Sequence, residues 1–146
     1  MSVLLVEDTP PMSDLIVAML ADMNVRRVYP VGDGREALNV YRRNPDNFDI
    51  VISDWVMPKM TGLELLREVR AINADIPFMM LTVRTADDAI KDARDANVTG
   101  YITKPFKARM FHERMTTILT DVLERKANPP TDLDDDDDDT EYVDFC

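Results

Sequence analysis

The chain has a single cysteine, Cys146, so no disulfide can close within it and no thiolate metal site can be built. It has only four glycines, and its loops therefore lack the glycine-rich cradle that a phosphate-bearing flavin would need. The sole histidine, His112, falls on a helical segment and is assigned no catalytic role; any phosphohistidine chemistry must come from a partner. No apolar run approaches the ~18 residues of a membrane-spanning helix. The opening Met-Ser-Val-Leu-Leu-Val-Glu-Asp also lacks the basic and long apolar segments of a signal peptide. A cytoplasmic location with no membrane partner is the expectation.

Positive charge is scarce as well: 17 Lys and Arg face 28 Asp and Glu, for a net charge of −11. Without a basic face, a nucleic-acid partner is not expected. The imbalance is concentrated at one end. From Ala127 onward there are nine acids (Asp132, Asp134 to Asp139, Glu141 and Asp144) and no Lys or Arg. Removing nine from 28 leaves 19 acids against the 17 bases, so the body is nearly balanced. Asn-Pro-Pro at 128–130 and the six-aspartate run cannot pack into a core, so residues 127–146 are expected to be a disordered acidic tail behind a domain of residues 1–126. A solubilising role is the plain reading of the tail. The alternatives are an electrostatic arm for a basic partner, or one that competes for the protein's own docking face.

With 45% hydrophobic and 31% charged residues, the class is globular. Short apolar runs (Val3 to Val6, Arg27 to Val31, Phe48 to Ile52, Phe78 to Leu81, Val98 to Ile102) alternate with segments of helical period. The first, third and fourth runs are almost continuously apolar, as strands covered on both faces are. The second, with Arg26, Arg27 and Pro30, reads as an edge strand. Met12, Leu15, Ile16, Met19, Leu20 and Met23 form the stripe of a first helix that starts after Thr9-Pro10. Asp33-Gly34 opens a second helix to about Asn44, and Thr61-Gly62 a third with Leu65, Leu66, Val69 and Ile72 inward. A fourth near Ala86 to Asp95 has mainly alanines on its apolar face. A fifth, about Ala108 to Arg125, is striped by Phe111, Met115, Ile118, Val122 and Leu123. The fold class is α/β, a (βα)₅ doubly wound parallel five-stranded sheet.

In such a sheet the ligand site lies at the carboxyl ends of the strands. There the first strand ends in Glu7-Asp8, the third in Asp54, the fourth in Thr82 and the fifth in Lys104-Pro105. An acid at one strand end can simply cap the next helix; it is the constellation that points to chemistry. Converging carboxylates repel, and a hard cation is the remedy. Mg²⁺ takes oxygen ligands in octahedral geometry and keeps several waters. One carboxylate oxygen can then act as a nucleophile, and phosphoryl transfer is mostly positioning plus neutralisation of charge. Lys104 fits as a second positive charge and Thr82 as a hydroxyl donor.

These residues resemble the receiver domains of bacterial response regulators over about residues 2–125. The pieces are Leu-Val-Glu-Asp at 5–8, Ser-Asp-Trp-Val-Met-Pro at 53–58, Thr-Gly-Leu-Glu at 61–64, Leu-Thr at 81–82 and Gly-Tyr-Ile-Thr-Lys-Pro-Phe at 100–106. The chain is most similar to the single-domain chemotaxis response regulators. The resemblance implies a flavodoxin-like sheet of strand order 2-1-3-4-5, a known property of this family and not something the residues alone give. It implies Asp54 as the phospho-acceptor and Mg²⁺ held by Asp8, Asp54 and the Val56 carbonyl, with Glu7 acting mainly through water. Lys104 would contact the phosphoryl group and Thr82 would move toward it. Tyr101 would be the switch aromatic on a face made by the fourth helix, fifth strand and fifth helix. The start of the first helix and the Pro105-Phe106 loop would be the kinase-docking side.

The implied phosphodonor is a histidine kinase or histidine phosphotransfer protein, and the implied output is protein contact, with a flagellar motor switch leading. A monomer or weak homodimer is expected, which catalyses only its own phosphorylation and dephosphorylation. A phosphate shuttle or sink and a phosphorylation-independent interaction module are the alternatives. A Mg²⁺-dependent small-molecule phosphatase is disfavoured, because Val56 replaces the second acid such enzymes carry and no cap domain is evident. Two positions depart from the family's commoner pattern. Val83 stands where a small residue is usual, and Val56 offers no polar group to position a water. An acyl phosphate that is not especially short-lived, modulated by Arg84, is the expectation. Trp55 is read as a surface-proximal packing residue beside the acceptor.

Overall fold

The computed structural model describes residues 1–83 and 87–127. Arg84, Ala86 and the acidic run Asp134 to Asp139 lie outside the described residues. Five strands, β1 (Ser2–Val6), β2 (Arg27–Val31), β3 (Ile50–Asp54), β4 (Phe78–Thr82) and β5 (Gly100–Thr103), alternate with five helices. The helices are α1 (Pro10–Asp22), α2 (Gly34–Arg43), α3 (Gly62–Ile72), α4 (Asp87–Asp95) and α5 (Ala108–Ala127). All strand pairs are parallel and the order is β2-β1-β3-β4-β5. The flavodoxin-like order implied by the resemblance is thus the one observed.

Alternation along the buried strands divides the core in two. Leu4, Val6, Val51, Phe78 and Met80 face one way, against Leu38 and Tyr41 of α2, Leu65, Leu66 and Val69 of α3, and Ala89 and Ala93 of α4. Val3, Leu5, Ile50, Ile52, Met79 and Leu81 face the other, against Ile16 and Leu20 of α1 and Phe111, Met115 and Val122 of α5. Each such Leu, Ile, Val or Phe contributes about 1.5–3 kcal/mol by leaving water. The alanines of α4 contribute far less.

Local chemistry sets the helix starts. The Asp33 carboxylate accepts from Glu36 N–H at 2.8 Å, and Thr61 and Glu64 form a reciprocal capping box at 3.1 and 2.9 Å. Among the described residues no helix is long and apolar enough to cross a membrane.

Several expectations need correction. β3 begins and ends two residues later than the apolar run, and it ends in Asp54, as read from the sequence. Phe48 belongs to the approach to that strand, where it contacts Tyr29 and Tyr41. Leu15, Ile72 and Leu123 were placed on inward stripes but are exposed. Each lies at the margin of an arc that advances about 100° per residue, and a nearly flat sheet covers only the centre of that arc. Trp55 is buried, not surface-proximal. α5 continues to Ala127, one residue past the boundary expected for the domain.

Candidate functional site

At the carboxyl edge of the sheet, β1 lies between β2 and β3, and the chain order reverses there. A crevice opens at such a point because successive connections leave on opposite faces. β1 delivers Glu7 and Asp8 to it, and β3, paired beside β1, delivers Asp54. Carboxylate oxygens of Glu7, Asp8 and Asp54 all lie within 4.8 Å of one another. Glu7 and Asp54 are buried and Asp8 is exposed, so the cluster opens toward solvent on the Asp8 side.

Lys104 reaches this cluster from the segment after β5. Its ammonium lies 2.9 Å from Glu7 Oε1 and 3.2 Å from Asp54 Oδ2. The Lys104 N–H donates to Thr82 O at 2.6 Å, which ties the segment to the end of β4, and the Lys104–Pro105 peptide is cis. Asp54 Oδ1 accepts from the Trp55 N–H at 2.8 Å. The two Asp54 oxygens therefore face different partners, and the carboxylate plane is fixed.

Thr9 holds the other side of Glu7. Its hydroxyl and its N–H both donate to Glu7 Oε2, at 2.7 and 3.1 Å. The sequence suggested Thr9 as a helix-start signal. It does occupy the position before α1, but its side chain caps nothing there. With Lys104 on one oxygen and Thr9 on the other, both oxygens of Glu7 accept from protein donors.

Electrostatics follow from these contacts. Burial pushes the Asp54 carboxyl up and the charge of Glu7 adds to it; Lys104 and the Trp55 N–H oppose this and do not cancel it. Burial also pushes Glu7 upward, but the Thr9 hydroxyl, Lys104 and the Thr9 N–H outweigh it, and Glu7 sits below its ordinary value. For Lys104, burial disfavours the charge. The hydrogen bond to Glu7 and the charges of Asp54 and Glu7 prevail, and the ammonium is held above its ordinary value.

The family model for the response regulator receiver domain matches residues 3–116. The chain belongs to this family. It is 36% identical over 121 residues to the chemotaxis protein CheY of Pseudomonas aeruginosa, across 82% of this chain and 96% of that protein. The solved chemotaxis response regulator CheY4 of Vibrio cholerae is similar at 30% identity and TM-score 0.73, covering 80% of this chain and 97% of that one. The receiver domain of a Pseudomonas aeruginosa sensor histidine kinase, solved with magnesium coordinated in its active-site cleft, is similar at 28% identity and TM-score 0.72. It covers 82% of this chain and 97% of that one.

The receiver brings together the side chains of four of the polar residues singled out at the strand ends, Glu7, Asp8, Asp54 and Lys104, and ties in the fifth, Thr82, through its backbone carbonyl. Thr82 is buried at the end of β4, where the strand that carries it pairs with β3. Tyr101, on β5, is half-buried and packs against the cluster that includes Ala89 and Ala93. Val56 and Val83 are both exposed, at 58% and 63%, so neither side chain forms a buried wall over Asp54. Pro105 is exposed and Phe106 stacks on Phe111 at 5.7 Å between ring centroids.

Two supporting residues escaped the sequence reading. Thr9 is one. Gly62 is the other, read only as a helix opener. A Cβ there would collide with the Asp54 carbonyl oxygen and would lie 2.7 Å from Met80 Sδ, while its N–H donates to Trp55 O at 2.8 Å. α3 thus begins directly against the backbone of the acidic site. Glycine after a capping threonine is a weak signal on its own, because the close approach depends on where β3 ends.

Proposed function

We propose that this receiver accepts a phosphoryl group on Asp54 from a phosphohistidine partner and signals by protein contact. What carries the proposal is the approach of the Lys104 ammonium to Asp54 Oδ2, 3.2 Å, beside carboxylates within 4.8 Å of each other. Oxygen is the only donor type in that cluster, which suits a hard cation such as Mg²⁺. Asp8, Asp54 and the Val56 carbonyl would hold the ion directly and Glu7 through water, consistent with Glu7 being engaged by Thr9 and Lys104. When bound, Mg²⁺ supplies the charge that offsets the clustered carboxylates and the incoming phosphoryl oxygens.

In the transfer, an Asp54 oxygen forms the new P–O bond as the P–N bond of the donor imidazole breaks. The electron pair returns to the imidazole, which takes up a proton. Lys104 stabilises phosphoryl oxygen charge, and Thr82 donates its hydroxyl to another of those oxygens. The chain turns over no separate substrate in this reading. Tyr101 relays occupancy to the α4-β5-α5 face. The relatives named for chemotaxis favour a chemotaxis partner, with a flagellar motor switch leading, and a cytoplasmic location fits such a partner.

The test is Trp55 fluorescence, since Trp55 is buried next to the acceptor and bonded to it. Mg²⁺ with acetyl phosphate or beryllofluoride should shift its emission in the native protein and not in Asp54→Asn. An equal response in both proteins would overturn the assignment of Asp54.

A further inference from the structure

The face formed by β5 and the start of α5 carries a groove of about 430 Å³, lined among others by Tyr101, Phe106, Lys107, Arg109, Met110 and Arg114. It combines apolar surface with three cations. Met110 is 43% exposed, and Lys107, Arg109 and Arg114 are exposed. Arg109 has Glu113 at 3.6 Å, whereas no ion pair engages Lys107 or Arg114 among the described residues. A nearly balanced protein thus places two cations outside any ion pair among the described residues beside half-buried aromatic and exposed thioether surface.

The same chain holds the complement. Beyond Ala127 come nine acids without a Lys or Arg, six of them consecutive from Asp134 to Asp139, followed by Tyr142 and Phe145. We infer that this acidic segment folds back along α5 and occupies the β5-α5 groove, with the aspartates on Lys107 and Arg114.

Reach permits it. α5 rises about 1.5 Å per residue, so Arg114 lies about 20 Å and Ala108, next to Lys107, about 29 Å back from Ala127. Extended chain covers about 3.3 Å per residue, which carries Asp134 about 23 Å and Asp139 about 40 Å from the same point. The aspartate run therefore spans the level of both cations. Pro129 and Pro130 lack the amide hydrogens that would carry α5 onward, so a reversal is chemically allowed where the run needs it. A second groove beside α5, lined among others by Met23, His112, Leu119 and Leu123, contains no Lys or Arg. Arg125 and Lys126, nearer the segment, are already engaged by Asp121 and Asp49 at 3.4 and 3.2 Å.

The consequence is a face screened by the chain's own anion. A partner must displace the segment, so its affinity rises when the aspartates are neutralised. The contact does not depend on phosphoryl transfer at Asp54, and its test can fail while that chemistry stands.

Cys146 is the only thiol, so a nitroxide can be attached to the full chain at one place. At about 0.01 M salt, where the Debye length is about 30 Å, amide signals from Lys107 to Arg114 should broaden more than those of α2 and α3. Broadening should disappear at about 1 M salt, where the length is about 3 Å. It should also disappear in a variant with Asp134 to Asp139 changed to Asn, and in the surface variant Lys107→Glu/Arg114→Glu. Broadening spread evenly over the surface, or insensitive to salt and to both variants, would overturn the inference. So would broadening of an unlabelled isotopically enriched chain mixed with the spin-labelled one, since that places the segment on a second copy.

Discussion

Lys104 and Glu7, 97 residues apart in sequence, are joined by a 2.9 Å ion pair that is almost closed to solvent. The pair fixes the acidic site from within: Glu7 takes one hydrogen of the ammonium and Asp54 Oδ2 lies 3.2 Å from the same nitrogen. Lys104 thus holds together two buried acids that would otherwise repel each other before any cation arrives.

Replacing it should show this. In metal-free protein, Lys104→Met leaves both buried carboxylates without their counter-charge, and removing one partner of a buried pair costs about 3–5 kcal/mol. Urea unfolding should report that loss, and saturating Mg²⁺ should recover part of it. An unchanged unfolding midpoint without metal would show that the pair contributes nothing to the fold.

Asp54→Asn should act in the opposite direction. Burial and the neighbouring Glu7 disfavour the ionised carboxylate, and the amide keeps an oxygen for the Trp55 N–H while removing the charge. A single stabilising substitution is commonly worth about 0.5–2 kcal/mol. The metal-free variant should therefore melt at a higher temperature than the native protein, and lose its response to acetyl phosphate. A lower melting temperature would contradict the account of Asp54 as a carboxylate held at a cost.

The pH dependence separates the two acids. The folded-state pKa of Glu7 lies below 4.5, so its contribution to stability is present above that pH and is lost as pH falls through the folded value. Asp54 runs the other way: its folded value lies above 3.8, so its contribution is present below 3.8 and is lost as pH rises through the folded value. In metal-free protein, Glu7→Gln should be destabilising near neutral pH, with the gap to the native protein closing as pH falls below 4.5. A gap that stays constant across the acid range would mean that Glu7 stabilises by packing alone.

Gly62→Ala should disturb both fold and site. The added methyl meets the Asp54 carbonyl oxygen and Met80 Sδ, and overpacking of this kind costs about 1–3 kcal/mol. Because the displaced backbone carries Asp54, weaker Mg²⁺ binding by Trp55 fluorescence should accompany the lower stability. Native-like binding with native-like melting would show that α3 can shift without moving β3.

Much of this is legible in the sequence. The continuous apolar runs of β1, β3 and β4 and the stripes of α3 and α5 set the alternation, because burial on two faces and on one face leave different periods. The strand-end position of Glu7, Asp8, Asp54, Thr82 and Lys104 followed from that alternation alone. What failed was marginal. Leu15, Ile72 and Leu123 look inward on a helical wheel, but a wheel does not say how wide an arc the sheet covers.

The sequence by itself determined the element order, the residue types at the carboxyl edge and the acidity of the last 20 residues, because these depend on local periodicity and composition. Only the tertiary structure decided which charges meet. That Lys104 bonds Glu7, that Thr9 turns from capping α1 to hold Glu7 Oε2, and that α3 starts against the Asp54 backbone through Gly62 all depend on strand neighbours far apart in the chain. Strand order and register set those distances. No local pattern encodes them.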